Sequence, residues 1–113
     1  MNDRPDAAAL AGAIEDDSTR TILVATQEEA VPVSELADVC GVSEPTVYRR
    51  LESLRERGLV EERTRLDEDG HHRGVYRATV ERVAFDLAAD GVDAEVTRRT
   101  SMADRFTDLV GEM

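Results

Sequence analysis

Residues 34–63, SELADVCGVSEPTVYRRLESLRERGLVEER, carry two sets of helix start and stop signals in one short span. Ser34 opens a helix with Leu36, Ala37, Val39 and Cys40 as its apolar positions, and Gly41 follows where a helix terminates with a residue at positive φ. This helix is barely two turns long. Val42 is placed to plug the core, Ser43 is a good N-cap, and Pro45 falls in the first turn of the next helix, where its missing N–H costs nothing. Val47, Leu51 and Leu54 recur at i, i+4, i+7, which aligns them along one helix face, and Gly58 stops the run. Two helices meeting at about 90 to 120° bring their backbones close, so the first needs a small residue inside it and the turn needs a glycine. Ala37 and Gly41 meet both requirements.

Downstream, Leu59 to Arg65 reads as a strand, Leu66 to Gly74 as a polar loop containing Asp69-Gly70, and Val75 to about Thr79 as the returning strand. Upstream, Gln27 to Ala30 is a loop, and Val31, Pro32 and Val33 add only a short edge strand because proline cannot donate to a ladder. Asp16, Asp17 and Ser18 offer caps for a helix running to about Thr26 with Ile22 and Leu23 facing the core, and Asp6 to Ile14 suits an earlier helix. A short helix, a tight turn, a longer capped helix and a basic hairpin make a winged helix-turn-helix over residues 1–79, in a mainly α chain with small β.

The remainder, residues 80–113, reads as an extension that serves dimerisation. As a helix, Val80, Val83, Ala84 and Leu87 share a face that ends before Gly91. As strands, Val83, Phe85 and Leu87 alternate, Asp90-Gly91 is a turn signal, and Val92, Ala94 and Val96 alternate back. With Asp90-Gly91 as a two-residue loop, Leu87 opposes Ala94 and Phe85 opposes Val96, and this agreement favours the hairpin. Ser101 then caps a last helix with Met102, Phe106, Leu109 and Val110 along one side. Such a stripe has little chain left to cover it, so these four and Phe85 are the expected homodimer contacts.

Composition limits the rest. The 113 residues suffice for one modest core, and no stretch approaches the roughly 20 apolar residues that span a bilayer. Residues 1–13 lack a basic start followed by an apolar run, so the expected location is cytoplasmic and no membrane partner is expected. One cysteine excludes an internal disulfide framework and makes no structural zinc site; just before the turn, Cys40 is a core position with an inert thiol. Acids number 25 against 14 basic residues, all of them arginine, for a net charge of −11. An acid-rich, lysine-free surface resembles the cytoplasmic proteins of haloarchaea, which work where the Debye length falls to about 3 Å. The charge is uneven: Ser43 to Arg77 holds eight arginines and eight acids, so the whole negative balance lies elsewhere. A neutral segment is the least hostile place for a polyanion.

The quoted stretch resembles the winged-helix proteins of the ArsR-like and MarR-like families, and Asp17-Ser18-Thr19-Arg20 with Ile22-Leu23 is similar to the helix start that precedes it in ArsR-like proteins. The resemblance runs from Asp17 to about Thr79. It implies transcriptional regulation by a homodimer that binds double-stranded DNA, with the second helix in the major groove and the wing on the backbone or minor groove. Paired helices of that kind read half-sites about one helical turn apart.

With Val47, Leu51 and Leu54 inward at about 100° per residue, Thr46, Arg49, Ser53 and, at the margin, Arg50 project outward. Arginine bonds guanine bidentately, while Ser43 and Thr46 at the helix N-terminus suit phosphates. Arg49 and Arg50 can alternatively pair with Glu52 and Glu56 on a solvated face. Tyr48 falls between core and surface and suits either packing or a phosphate. Arg65, His71, His72 and Arg73 form the expected wing contacts. The adjacent histidines lack a second ligand pair, and the Cys-rich or His/Asp clusters of metal-sensing ArsR-like proteins are missing, so no metal or cofactor is expected. A small-molecule effector has no signature in the chain. A winged helix also serves as a protein-interaction module without DNA. An enzyme is not expected, because a nucleophile–base constellation, a phosphate-binding glycine loop and a clustered carboxylate pair are all missing from the sequence.

Overall fold

The fold is built around one helix whose ends are fixed by its own sequence, α4 (Glu44–Glu56). In the computed structural model, which describes residues 2–3 and 6–99, the Ser43 hydroxyl caps this helix by accepting the Thr46 N–H at 3.3 Å. At its other end Gly58 adopts φ 69°, its N–H donates to the Arg55 carbonyl (2.9 Å), and the Leu59 N–H donates to the Leu54 carbonyl (2.8 Å). That paired closure satisfies carbonyls a helix end would otherwise leave bare, and it lays buried Leu59 over buried Leu54. The preceding helix, α3 (Val33–Cys40), stops at Gly41 (φ 70°), whose N–H donates to the carbonyl of buried Ala37 at 2.9 Å.

Val47, Leu51 and Leu54 are all but inaccessible and meet Leu36, Ile22 and Leu59 in one buried cluster. Two further helices, α1 (Ala7–Glu15) and α2 (Asp17–Ala25), contribute Leu10, Ile22 and Leu23 to it. Asp16 separates them. Its carboxylate caps α2 by accepting the Thr19 N–H (2.8 Å) and hydroxyl (3.0 Å), and it also accepts Arg50 Nε of α4 at 3.0 Å. The Thr19 N–H, helped by the Thr19 hydroxyl and Arg50, holds this carboxyl below its ordinary range against the opposing effect of burial. A lowered folded-state value adds stability above the unfolded carboxylate pKa of about 3.9 and loses it as pH falls through the folded value. Asp16→Ala is therefore expected to cost about 0.5–2 kcal/mol at neutral pH. In urea titrations repeated down the acid range, the gap between wild type and variant should close below about pH 4.

Two three-stranded antiparallel sheets complete the architecture of the described residues. In the first, β2 (Val31–Pro32), β4 (His72–Ala78) and β3 (Val60–Leu66) lie in that spatial order. The wing strands are longer than the sequence reading allowed. Leu66, expected in the loop, pairs with His72, Arg65 pairs with Arg73, and Thr64 with Gly74, leaving only residues 67–71 as the turn. Polar residues tolerate this ladder because most of both tip strands is exposed. Val33 opens α3 instead of closing the edge strand.

The second sheet orders β1 (Asn2–Asp3), β6 (Gly91–Arg98) and β5 (Val80–Ala88). Residues 80–98 thus adopt the hairpin rather than the helix, and four helices with two small antiparallel sheets make up the described fold. The register differs from the expected one: Phe85 pairs with Ala94, Leu87 with Val92 and Ala88 with Gly91, so the loop residues are Ala89 and Asp90. A shift of two positions keeps every side chain on its face, so alternation alone cannot distinguish the two registers. Val80, Ala94 and Val96 join the same buried cluster as Leu10 and Leu54. At the hairpin root the Gln27 side chain donates to the carbonyls of Leu23 (3.1 Å) and Val80 (2.9 Å), while Thr79 Oγ1 (2.8 Å) and Arg98 donate to the Gly58 carbonyl. The hairpin is therefore tied to the end of α4. The helix expected from Ser101, with Met102, Phe106, Leu109 and Val110, lies outside the described residues. No described helix is long and apolar enough to cross a membrane.

Candidate nucleic-acid interface

Burying Val47, Leu51 and Leu54 turns the opposite face of α4 to solvent. There Ser43 Oγ lies 3.0 Å from Thr46 Oγ1, and Arg49 Nη2 donates to that same Thr46 oxygen at 3.3 Å. Arg49 is exposed and makes no ion pair among the described residues. One hydrogen bond to a threonine steers the guanidinium without neutralising it. Ser53 is half-buried on the same side, and Tyr48 is 53% exposed. Glu52 turns to Arg55 (3.8 Å), so the pairing of Glu52 or Glu56 with Arg49 or Arg50 that the sequence allowed is not formed.

Arg50 has a second commitment. Its Nε sits on Asp16, and at 38% side-chain exposure it is drawn toward the junction of α1 and α2. A pair this open adds less than about 1 kcal/mol to stability. It fixes direction more than strength, aiming the guanidinium across α4 and away from the most outward line. Arg49, Arg50, Ser53 and Arg57 together wall a cleft of about 400 Å³ between α4 and α1. The sequence reading did not single out Arg57; its spacing of seven from Arg50, two turns on one face, was the available signal.

On the wing, Arg65 and Arg73 are directly opposite across β3 and β4. Like charges at paired positions destabilise a sheet by up to about 1 kcal/mol. Neither arginine meets a carboxylate among the described residues, whereas neighbouring Arg63 is paired with Glu61. His71 and His72 are exposed beside them, and no group of three or more His, Cys, Asp or Glu among the described residues is placed to hold a metal. Between α4 and the wing, Tyr48, Glu62, Arg73 and Tyr76 line a second cleft of about 560 Å³. Burial, then Glu62, pushes Tyr76 up to about 12, so its hydroxyl remains a donor to Glu62 Oε2 (2.6 Å) at neutral pH. Cys40 donates its thiol to the Ser18 carbonyl (3.7 Å), and burial, then Asp16, raises its pKa, keeping it a thiol.

Residues 14–63 match a family model described as a helix-turn-helix domain. Among solved structures, the chain is similar to the crystal structure of NolR from Sinorhizobium fredii, at 27% identity and a TM-score of 0.53 over 65% of this chain and 68% of that one. No curated protein matches it. The matched span holds α2, α3 and α4 and ends within β3, before the rest of the wing.

Proposed function

We propose that this protein is a transcriptional regulator that binds double-stranded DNA as a homodimer, inserting α4 into the major groove and laying the wing on the backbone or minor groove. The observation that carries the reading is the unneutralised pair Arg65 and Arg73. A chain with 25 acidic residues leaves two facing arginines without a carboxylate among the described residues. A phosphate resolves that repulsion. On α4, Ser43, Thr46, Arg49, Arg50, Ser53 and Tyr48 supply the groove side, with Arg49 the base-reading group and Arg50 directed toward the backbone. His71 and His72 flank the wing arginines.

Replacing Arg73 with alanine is expected to weaken binding to specific and scrambled duplexes about equally, and to make the dependence of log K on log salt shallower by about one unit, as for one lost phosphate contact. Titrations at several KCl concentrations measure it. Selective loss at A·T-rich flanks indicates minor-groove insertion instead. Identical curves for the two proteins remove the wing from the interface, and no duplex binding by wild type favours a protein-interaction module.

The homodimer draws support from the hairpin. Val83, Ala94 and Val96 sit at the covered end of one face, while Phe85, Leu87 and Val92 continue that face into solvent, Leu87 at 86% exposure. A lone exposed leucine is ordinary, but a stripe continuous with the core is a contact surface. Leu87→Asp, or deletion of residues 102–113, is expected to give monomers in sedimentation at high KCl. A well-behaved dimer in both variants assigns dimerisation to another surface.

A further inference from the structure

We propose that the cleft between α1 and α4 binds a phosphate group of the DNA backbone, on the flank of α4 away from the wing; the proposal rests on the duplex-binding reading above. Three arginines, Arg49, Arg50 and Arg57, line this cleft against a single carboxylate, Asp16. That carboxylate is already engaged by Thr19 and by Arg50 Nε. Arg50 uses only its Nε there, so its two terminal nitrogens remain for another acceptor, and the Arg57 side chain has no hydrogen bond or ion pair among the described residues. In a chain of net charge −11, a cleft with this positive excess selects an anion.

The α1 wall is built from small residues, among them Gly12 and Ala13, and a Cβ added at Gly12 would meet nothing within 4 Å. The cleft is thus open to a group as bulky as a phosphodiester. Its direction fits the same ligand. At about 100° per residue, Arg50 and Arg57 project to one flank of α4 and Tyr48 and Arg55 to the other, which faces the wing. A helix about 10–12 Å across in a groove about 12 Å wide brings both flanks against the phosphate rims. The wing serves one rim and the cleft the other. A free phosphate-bearing small molecule offers the same chemistry from a second source.

The test uses the full chain, with Arg57→Gln and Arg57→Lys beside wild type. Arg57 is exposed at the end of α4, so both variants should fold, and their circular dichroism checks this. In duplex titrations across KCl, Arg57→Gln should weaken binding by the same factor on specific and random sequences and flatten the salt slope by about one, while Arg57→Lys keeps the slope. Arginine Nε resonances are followed in parallel with duplex and with inorganic phosphate at matched ionic strength. Shifts of Arg50 and Arg57 with duplex only are expected. Saturable shifts with inorganic phosphate that duplex reverses keep the phosphate site and make a free anion its source. An unchanged slope in Arg57→Gln while wild type binds duplex overturns the cleft alone. Should wild type bind no duplex, the regulator reading falls, and the phosphate titration then decides: saturable shifts retain the site, and none overturns it.

Discussion

Leu51→Ala is expected to destabilise the protein by about 2–5 kcal/mol, the range for emptying a well-packed leucine site. Leu51 is 1% exposed in the middle of α4 and belongs to the cluster joining α2, α3 and the hairpin root. The loss has two parts: the forgone burial free energy of the removed isopropyl group, and a cavity that surrounding helices cannot close without moving α4. Domains of this size are stable by about 5–15 kcal/mol, so the variant should unfold at a markedly lower denaturant midpoint. Leu51→Met conserves volume and should cost less than about 1.5 kcal/mol. A loss under about 1 kcal/mol in Leu51→Ala, measured by urea unfolding, contradicts the packing of α4 described above.

Arg49→Ala should act on recognition instead of folding. Its guanidinium is exposed and its one partner among the described residues is the Thr46 hydroxyl, so its removal leaves the core intact. A lost bidentate base contact costs about 1–3 kcal/mol, or roughly five- to 150-fold in affinity for the preferred duplex. Binding to random sequence should fall much less, so the ratio between the two is the informative quantity. Arg49→Lys retains the charge but not the planar fork, and should keep random-sequence affinity while losing selectivity. Arg50→Ala should differ from both, because it also removes the Arg50 bond to Asp16, which Thr19 continues to hold, and so lowers stability slightly. Equal affinity of Arg49→Ala and wild type for a duplex selected from a randomised pool would move base reading off this helix.

The helix-turn-helix was legible in the chain because its determinants are local. Ser43, Pro45, Gly41 and Gly58 act on backbone groups within a few residues, and the spacing of Val47, Leu51 and Leu54 is a property of one helix. The outward direction of Arg49 follows from the same periodicity. Arg50 is the instructive contrast. Periodicity put it at the margin of the outer face, but its partner, Asp16, lies 34 residues away, and no local pattern announces that pairing.

The chain by itself determined both ends of α4 and the stop of α3 at Gly41, which face of α4 is buried, and that Val83, Phe85 and Leu87 share a face with Val92, Ala94 and Val96. Caps, turns and periodicities are short-range, so the residues that cause them sit next to those they affect. Tertiary structure alone decided the hairpin register, because a slip of two leaves every face unchanged and only the turn and the packing of Ala94 and Val96 choose between them. It also decided that Arg65 faces Arg73 across the wing and that Arg57 joins Arg49 and Arg50 against α1. Charges felt across a sheet or a cleft depend on distances between elements far apart in sequence, and folding alone sets those distances.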